Sequence, residues 1–222
     1  MSNELFSILE AALVCEIDDW RVKINISRIE SERERQDIID SNKVDFQQVR
    51  EQIVSGEHLE WLKHIAYIYY ALYNDVDEKL TCFERLSSSL GDNNAIDAIS
   101  GLVALLGRAD LPSIDDINNS LIKSEYYEWW YAILAGSDEL WKLKDDISLW
   151  DNELLKMLIT LDARLSIHVK EDNVITIYSL PWKKYVILFR EDLFIETYSY
   201  IIDFCIKNKF QHIVALNYIL HE

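Results

Sequence analysis

Apolar residues recur at the helical period along most of this chain. Leu5, Ile8, Leu9, Ala12 and Leu13 trace one stripe and predict an amphipathic helix over 3–19. Residues 20–40 keep the helical register but turn charged. The ESERER stretch (30–35) mixes signs so that Glu30 and Arg33 face each other across a turn, which predicts an exposed arm. A further helix over 44–55 ends at Gly56, a residue suited to the left-handed stop of a helix. Over 57–74, Trp61, Leu62, Ile65, Ala66, Ile68, Tyr69 and Leu72 cover so much of the circumference that the helix must be packed on two sides. A partner over 76–90 stops at Gly91, and a helix over 94–106 stops at Gly107. Ser113 with Asp116, just after Pro112, forms a capping box for a helix over 113–123. The next helix spans 124–135, with Gly136 as its stop, and Ser137-Asp138-Glu139 opens another with acids at the positive end of its dipole. Ser148 with Asp151 repeats the capping pattern before a helix over 151–163.

The period then changes. SIHV (166–169), KEDN and VITIYS (174–179) alternate at period two around a turn and carry β-branched residues, which predicts one small β-hairpin over 166–179. Pro181 suits a helix start, Trp182–Phe189 reads as a short helix or link, and two closing helices follow over 191–208 and 210–220. Helix pairs thus recur about every 35–40 residues without a strict consensus. The expected fold is all-α, a HEAT/TPR-like α-solenoid of antiparallel helix pairs with one hairpin insertion, preferred over an irregular bundle. The expected division is an N-terminal part, 1–56, with its charged arm, and a helical-repeat body, 57–222.

Composition narrows the function more than the fold. Only 5 Gly and 2 Pro occur in 222 residues, too few for turn-rich sheets or glycine-rich phosphate loops. The net charge is -17 and is unevenly spread: residues 1–56 carry 12 acids against 7 bases, 57–163 carry 20 against 8, and 164–222 carry 7 of each. Such a middle repels a phosphate backbone and disfavours nucleic acid as partner. Cys15, Cys82 and Cys205 are scattered inside helical patterns, which points to reduced thiols in a cytoplasmic protein. No leader pattern opens the chain and no apolar run reaches 18 residues, so neither secretion nor a membrane partner is expected.

Candidate chemistry is sparse. Glu57, Glu60 and His64 share a helical face, the residue types of a metal site, but no second Glu-x-x-His completes the set. A helical enzyme with a metal-dependent polar site there is the alternative reading. No serine or cysteine sits on a glycine-flanked turn as a nucleophile would. The doublets Asp18-Asp19, Asp115-Asp116 and Asp145-Asp146 fall at expected helix ends and read as caps. The aromatic run Tyr126, Tyr127, Trp129, Trp130, Tyr131 is flanked by Glu125 and Glu128, not by lysine and arginine. It reads as an inner helix wedged between neighbours, not a base-stacking platform. The one basic concentration, Trp182, Lys183, Lys184 and Arg190, is the candidate contact for a protein partner. No catalytic residue, cofactor or metal is assigned.

Three segments carry a resemblance: EHLEWLKHIAYIYYALYNDVDEKLTCFERLSSSLG (57–91), DLPSIDDINNSLIKSEYYEWWYAILAG (110–136) and SLPWKKYVILFREDLFIETYSYIIDFCIKNKFQHIVALNYIL (179–220). They resemble the helical-repeat regions downstream of the ATPase module in large bacterial NACHT/STAND-type proteins, through the DLP turn, the W-W-x-A-x-L-A-G helix end and the P-W element. The resemblance implies a helical sensor or scaffold arm in antiviral defence, part of a larger parent protein or a stand-alone relative. It implies no ATPase here, since no GxxxxGK[ST] is present. The expected function is a non-enzymatic module that binds protein.

Overall fold

The computed structural model describes residues 3–73, 76–165, 167–171 and 174–210. Contacts divide the chain into two units, Met1–Asp45 and Phe46–Glu222. The first lies within a single helix, α1 (Asn3–Gln48), which runs unbroken through both the apolar and the charged stretches. Trp20, Val22, Ile24, Ile26 and Ile29 are exposed on it.

The second unit is helical except for one hairpin. Its elements are α2 (Arg50–Val54), α3 (Leu59–Tyr69), α4 (Cys82–Leu90), α5 (Asp92–Leu105), α6 (Ile114–Lys123), α7 (Trp130–Lys144), α8 (Asn152–Leu165), β1 (His168–Glu171), β2 (Val174–Ile177), α9 (Lys183–Phe189) and α10 (Glu191–Lys207). The strands pair antiparallel, with His168 opposite Ile177 and Glu171 opposite Val174. The closing helix expected over 210–220 falls almost entirely outside the described residues. Among the described residues no helix is long and apolar enough to cross a membrane.

Local chemistry sets several boundaries. Thr81 and Glu84 form a capping box at α4, as Ser113 and Asp116 do at α6. Asp151 accepts the Leu154 N–H at 2.7 Å and caps α8, whereas Ser148, expected to open the capping box, lies in a 3-10 turn and donates its own N–H to Asp146. Gly56 takes φ +79° behind α2, as a left-handed stop requires. The body's core begins before that glycine, because Phe46 and Ile53 are fully buried in it. Arg50 clips α2 to α5 through two hydrogen bonds to Asp97.

Two expectations fail around α7. Residues 124–129 are not helical: Ser124 adopts φ 54°, ending α6, and α7 begins only at Trp130. Gly136 then does not stop a helix, and Ser137 does not start one. α7 runs straight through them, and every residue from Ala132 to Glu139 is buried. The reason is a close crossing. A Cβ on Gly136 would lie 2.2 Å from the carbonyl oxygen of Leu102 on α5, so only glycine lets the two backbones approach this far. Gly101, on the opposite side of α5, meets Ile53 of α2 in the same way, at 2.2 Å.

The packing order also differs from a one-dimensional stack of pairs. α7 packs on α3, α5 and α8, while α5 packs on α2, α4 and α7. α3 therefore touches a helix four places further along, where a solenoid would join near neighbours. The physical cause is the middle of α7, where every residue from Ala132 to Glu139 is buried, so that it packs against partners around its circumference.

Candidate functional site

The surface carries a groove where the DLP turn, α6 and the start of α7 meet. Arg108 grips Asp110 through Nε and Nη2 at 2.8 and 2.7 Å and donates Nη1 to the Gly56 carbonyl at 3.0 Å. That fixes Leu111 and Pro112 on the rim, and the guanidinium holds the Asp110 carboxyl below its usual range. Asp116 is spent on the α6 cap: it accepts the Ser113 N–H at 2.9 Å and the Ser113 hydroxyl at 2.6 Å, which lowers its pKa as well.

After α6 the chain turns at Ser124, and the Glu125 N–H returns to the Ser120 carbonyl at 2.8 Å. Tyr127 donates its hydroxyl to Glu125 at 2.8 Å and tilts its ring against Trp130, with centroids 5.0 Å apart. The result is a groove of about 420 Å³ with Asp110, Asp116, Lys123, Glu125, Tyr127 and Trp129 among its walls.

Tyr126 is 56% exposed and Tyr127 41%, so the aromatic run is not the inner helix expected of it. Trp130 is buried, and Trp129 and Tyr131 lie at the boundary. Behind them, edge-to-face contacts join Tyr126 to Tyr131 and Tyr131 to Tyr67, at 6.3 and 5.6 Å, which ties the exposed rings to α3.

A second groove, about 550 Å³, opens on the other side of the first turn of α6, among Asp115, Glu153, Lys156, Glu196, Tyr200 and Asp203. Lys156 is paired with Glu196 at 2.9 Å. Tyr200 donates to Asp115, and that bond raises the tyrosine pKa.

A third cluster is interior. Asp138, fully buried, accepts the Tyr178 hydroxyl at 2.6 Å and the Tyr69 hydroxyl at 3.0 Å. Glu139 lies 2.7 Å from the Tyr69 oxygen and 2.7 Å from Lys142 Nζ, which itself donates to that oxygen. Trp182 donates its indole N–H to Ser137 at 3.0 Å, and Lys183 meets Asp162 at 3.0 Å with both side chains over nine-tenths buried. None of these residues lines either groove. They bind α3, α7, α8, the hairpin's exit and α9 into one body.

Burial raises the Asp138 pKa, and the bonds from Tyr178 and Tyr69 and the charge of Lys142 only partly oppose it. A carboxylate raised above its unfolded value of about 3.8 favours the folded state fully at lower pH and loses that contribution as pH climbs through the folded value. Asp138→Asn is therefore expected to gain on the wild type, in urea midpoint, as pH rises from 4 to 8. A difference that stays flat over that range would show that the network fully compensates the charge.

The structure redistributes the residues singled out from sequence. Trp182 is fully buried and Lys183 is 6% exposed, so neither meets a partner; this corrects half of that candidate contact. Packing explains both, since the indole fills the core beside Trp150 and the ammonium answers Asp162. Lys184 remains at the surface, its ammonium 4.9 Å above the Tyr185 ring, and Arg190 bonds Asn152. Glu60 pairs with Lys63 at 2.7 Å, His64 Nδ1 meets the Tyr73 hydroxyl at 2.9 Å, and Glu57 is exposed. The three are not drawn together, and among the described residues no group of three histidine, cysteine or carboxylate side chains is placed to hold a metal ion. Cys82 is half-buried with its thiol pKa pushed up by that burial, and Cys205 is buried. His212 and His221 lie outside the described residues.

The second groove and the interior network escaped the sequence reading because their members come from distant helices. Compared with known proteins, the chain matches no family model, no curated protein and no solved structure.

Proposed function

We propose that this chain is a non-enzymatic, cytoplasmic helical scaffold that binds another protein through the groove between the DLP turn and α7. One observation carries the reading: exposed tyrosines are anchored on a rigid helical body beside an open groove. Free rings at a surface cost solvation, and tyrosine supplies broad contact area with few rotors to freeze, which is why it recurs at recognition surfaces. The interior polar network has no opening to either groove, which supports a structural rather than a chemical role for it. The resemblance to NACHT/STAND helical regions supports a place in a larger sensor or scaffold assembly. The repeat-like spacing of helix pairs and an antiviral setting rest on that resemblance and on the sequence pattern.

The test is affinity capture from lysate of the source cells, comparing the wild type with a Tyr126→Ser/Tyr127→Ser variant. Both rings are exposed, so the variant should keep its helical signal. A partner held by wild type and reduced about tenfold or more with the variant is expected, the loss typical of anchor residues. Identical captured sets would overturn the groove as the binding site.

A further inference from the structure

We infer that the ligand of this face is a basic peptide segment of the partner, crossing the first turn of α6 and placing one cationic side chain in each groove; this rests on the protein-binding reading above. The two grooves abut on consecutive residues: Pro112 and Asp116 belong to the first, Ser113, Ile114 and Asp115 to the second. One extended segment therefore reaches both. Together their walls hold seven carboxylates, on Asp110, Asp115, Asp116, Glu125, Glu153, Glu196 and Asp203, against two ammonium groups, on Lys123 and Lys156.

Part of that charge is spent internally. Asp110 is held by Arg108, Asp116 by the α6 cap, and Glu196 by Lys156. Asp115 accepts the Tyr200 hydroxyl. Glu125, Glu153 and Asp203 are exposed and, among the described residues, none is joined to a cation within 4 Å, although Lys156 feels the charge of Glu153 as well as that of Glu196. They stand one in the first groove and two in the second, which sets the two cationic positions.

The chemistry of the first groove is more specific than charge. Tyr127 and Trp129 line it beside Glu125, and a guanidinium or ammonium beside an aromatic ring gains from the ring's quadrupole as well as from the carboxylate. An arginine suits it, because its planar fork stacks on a ring while donating to an acid. The second groove offers Glu153 and Asp203 beside Tyr200, which is 45% exposed and donates its hydroxyl to Asp115. It suits either lysine or arginine. A nucleic-acid strand meets repulsion from both, and an acidic peptide fares no better.

The probe is a fluorescein-labelled peptide of alternating arginine and glycine, titrated onto the intact chain by anisotropy at about 0.15 M salt. Glu125→Lys and Tyr127→Ser alter the first groove, Glu153→Lys the second, and Glu51→Lys on α2 is the charge-matched control. All four positions are exposed, and circular dichroism verifies that each variant is folded. Each charge reversal in a groove is expected to weaken binding about tenfold, and Tyr127→Ser about fivefold, while the control stays within about twofold. A control that weakens as much as the groove variants would reveal diffuse attraction to an acidic chain and overturn the inference. So would no measurable binding, or a loss confined to the charge variants in one groove. If the peptide does not bind but the Tyr126/Tyr127 variant still loses a captured partner, the protein-binding reading stands and only the basic ligand falls.

Discussion

Asp162→Leu is expected to cost about 3–5 kcal/mol of folding stability, a large share of the roughly 5–15 kcal/mol that a domain of this kind possesses. Lys183 and Asp162 are 6% and 4% exposed and meet at 3.0 Å. Removing the carboxylate takes the Asp162 charge away from a buried ammonium in the first turn of α9. The pair itself is a weak source of net stability, since its attraction is offset by the desolvation of both ions. That asymmetry makes the experiment decisive. The double variant Asp162→Leu/Lys183→Met, apolar on both sides, should recover most of the loss. Urea unfolding followed by circular dichroism measures both, and a double variant as unstable as the single would show that other contacts of Asp162, not the ion pair, carry the cost.

Gly136→Ala should rank second, at about 2 kcal/mol of destabilisation, and Gly136→Val higher still. An alanine inside a helix normally gains about 1 kcal/mol over glycine. Here the added Cβ would sit 2.2 Å from the Leu102 oxygen and 2.9 Å from its carbon, both backbone atoms that no rotamer change can move. Relief requires α5 and α7 to part, which opens the contact around Ala98, Leu102, Ile133 and Leu134, all fully buried. Gly107→Ala is the internal control. Its Cβ would meet only the Ala104 oxygen at 3.4 Å, so the same unfolding measurement should return little change. Equal midpoints for the two variants would mean that α5 and α7 yield more easily than their geometry implies.

The same glycine marks where sequence reading stops working. Ser113 with Asp116 and the period-two run over 166–179 are legible because each is a local device, complete within a few residues. Gly136-Ser137-Asp138-Glu139 is equally local in appearance and spells a helix stop followed by a helix start. Its meaning comes from Leu102, Tyr69 and Tyr178, which lie far away in the chain. One signal pointed the other way: Trp130, Ile133, Leu134, Ser137, Asp138 and Trp141 keep a single helical register through the supposed break. Taking Ser137 and Asp138 as inward-facing polar groups, rather than as caps, would have joined the two segments. The Trp182-Lys183 pair misleads for the same reason, because a lysine reads as surface until its buried partner is known. The aromatic run was half legible. Trp130 is buried as a helix-facing ring should be, but the left-handed turn at Ser124 pulls Tyr126 and Tyr127 out of helix and into solvent, and neither glycine nor proline announces that turn.

The abrupt change at Trp130 has a consequence for how such a chain can diversify. On its C-terminal side, eight successive residues from Ala132 to Glu139 are enclosed, and any change of size there disturbs several helices at once. On its N-terminal side, Ser124 to Glu128 are all exposed, and their side chains meet the body through Tyr126 on Tyr131, Tyr127 on Trp130 and Glu128 on Lys63. The stretch proposed to meet a partner and the stretch that holds the core are thus adjacent but separate. If the rim meets a partner as proposed, single substitutions in this loop would change what it meets, while the helix that anchors the rim stays under constraint.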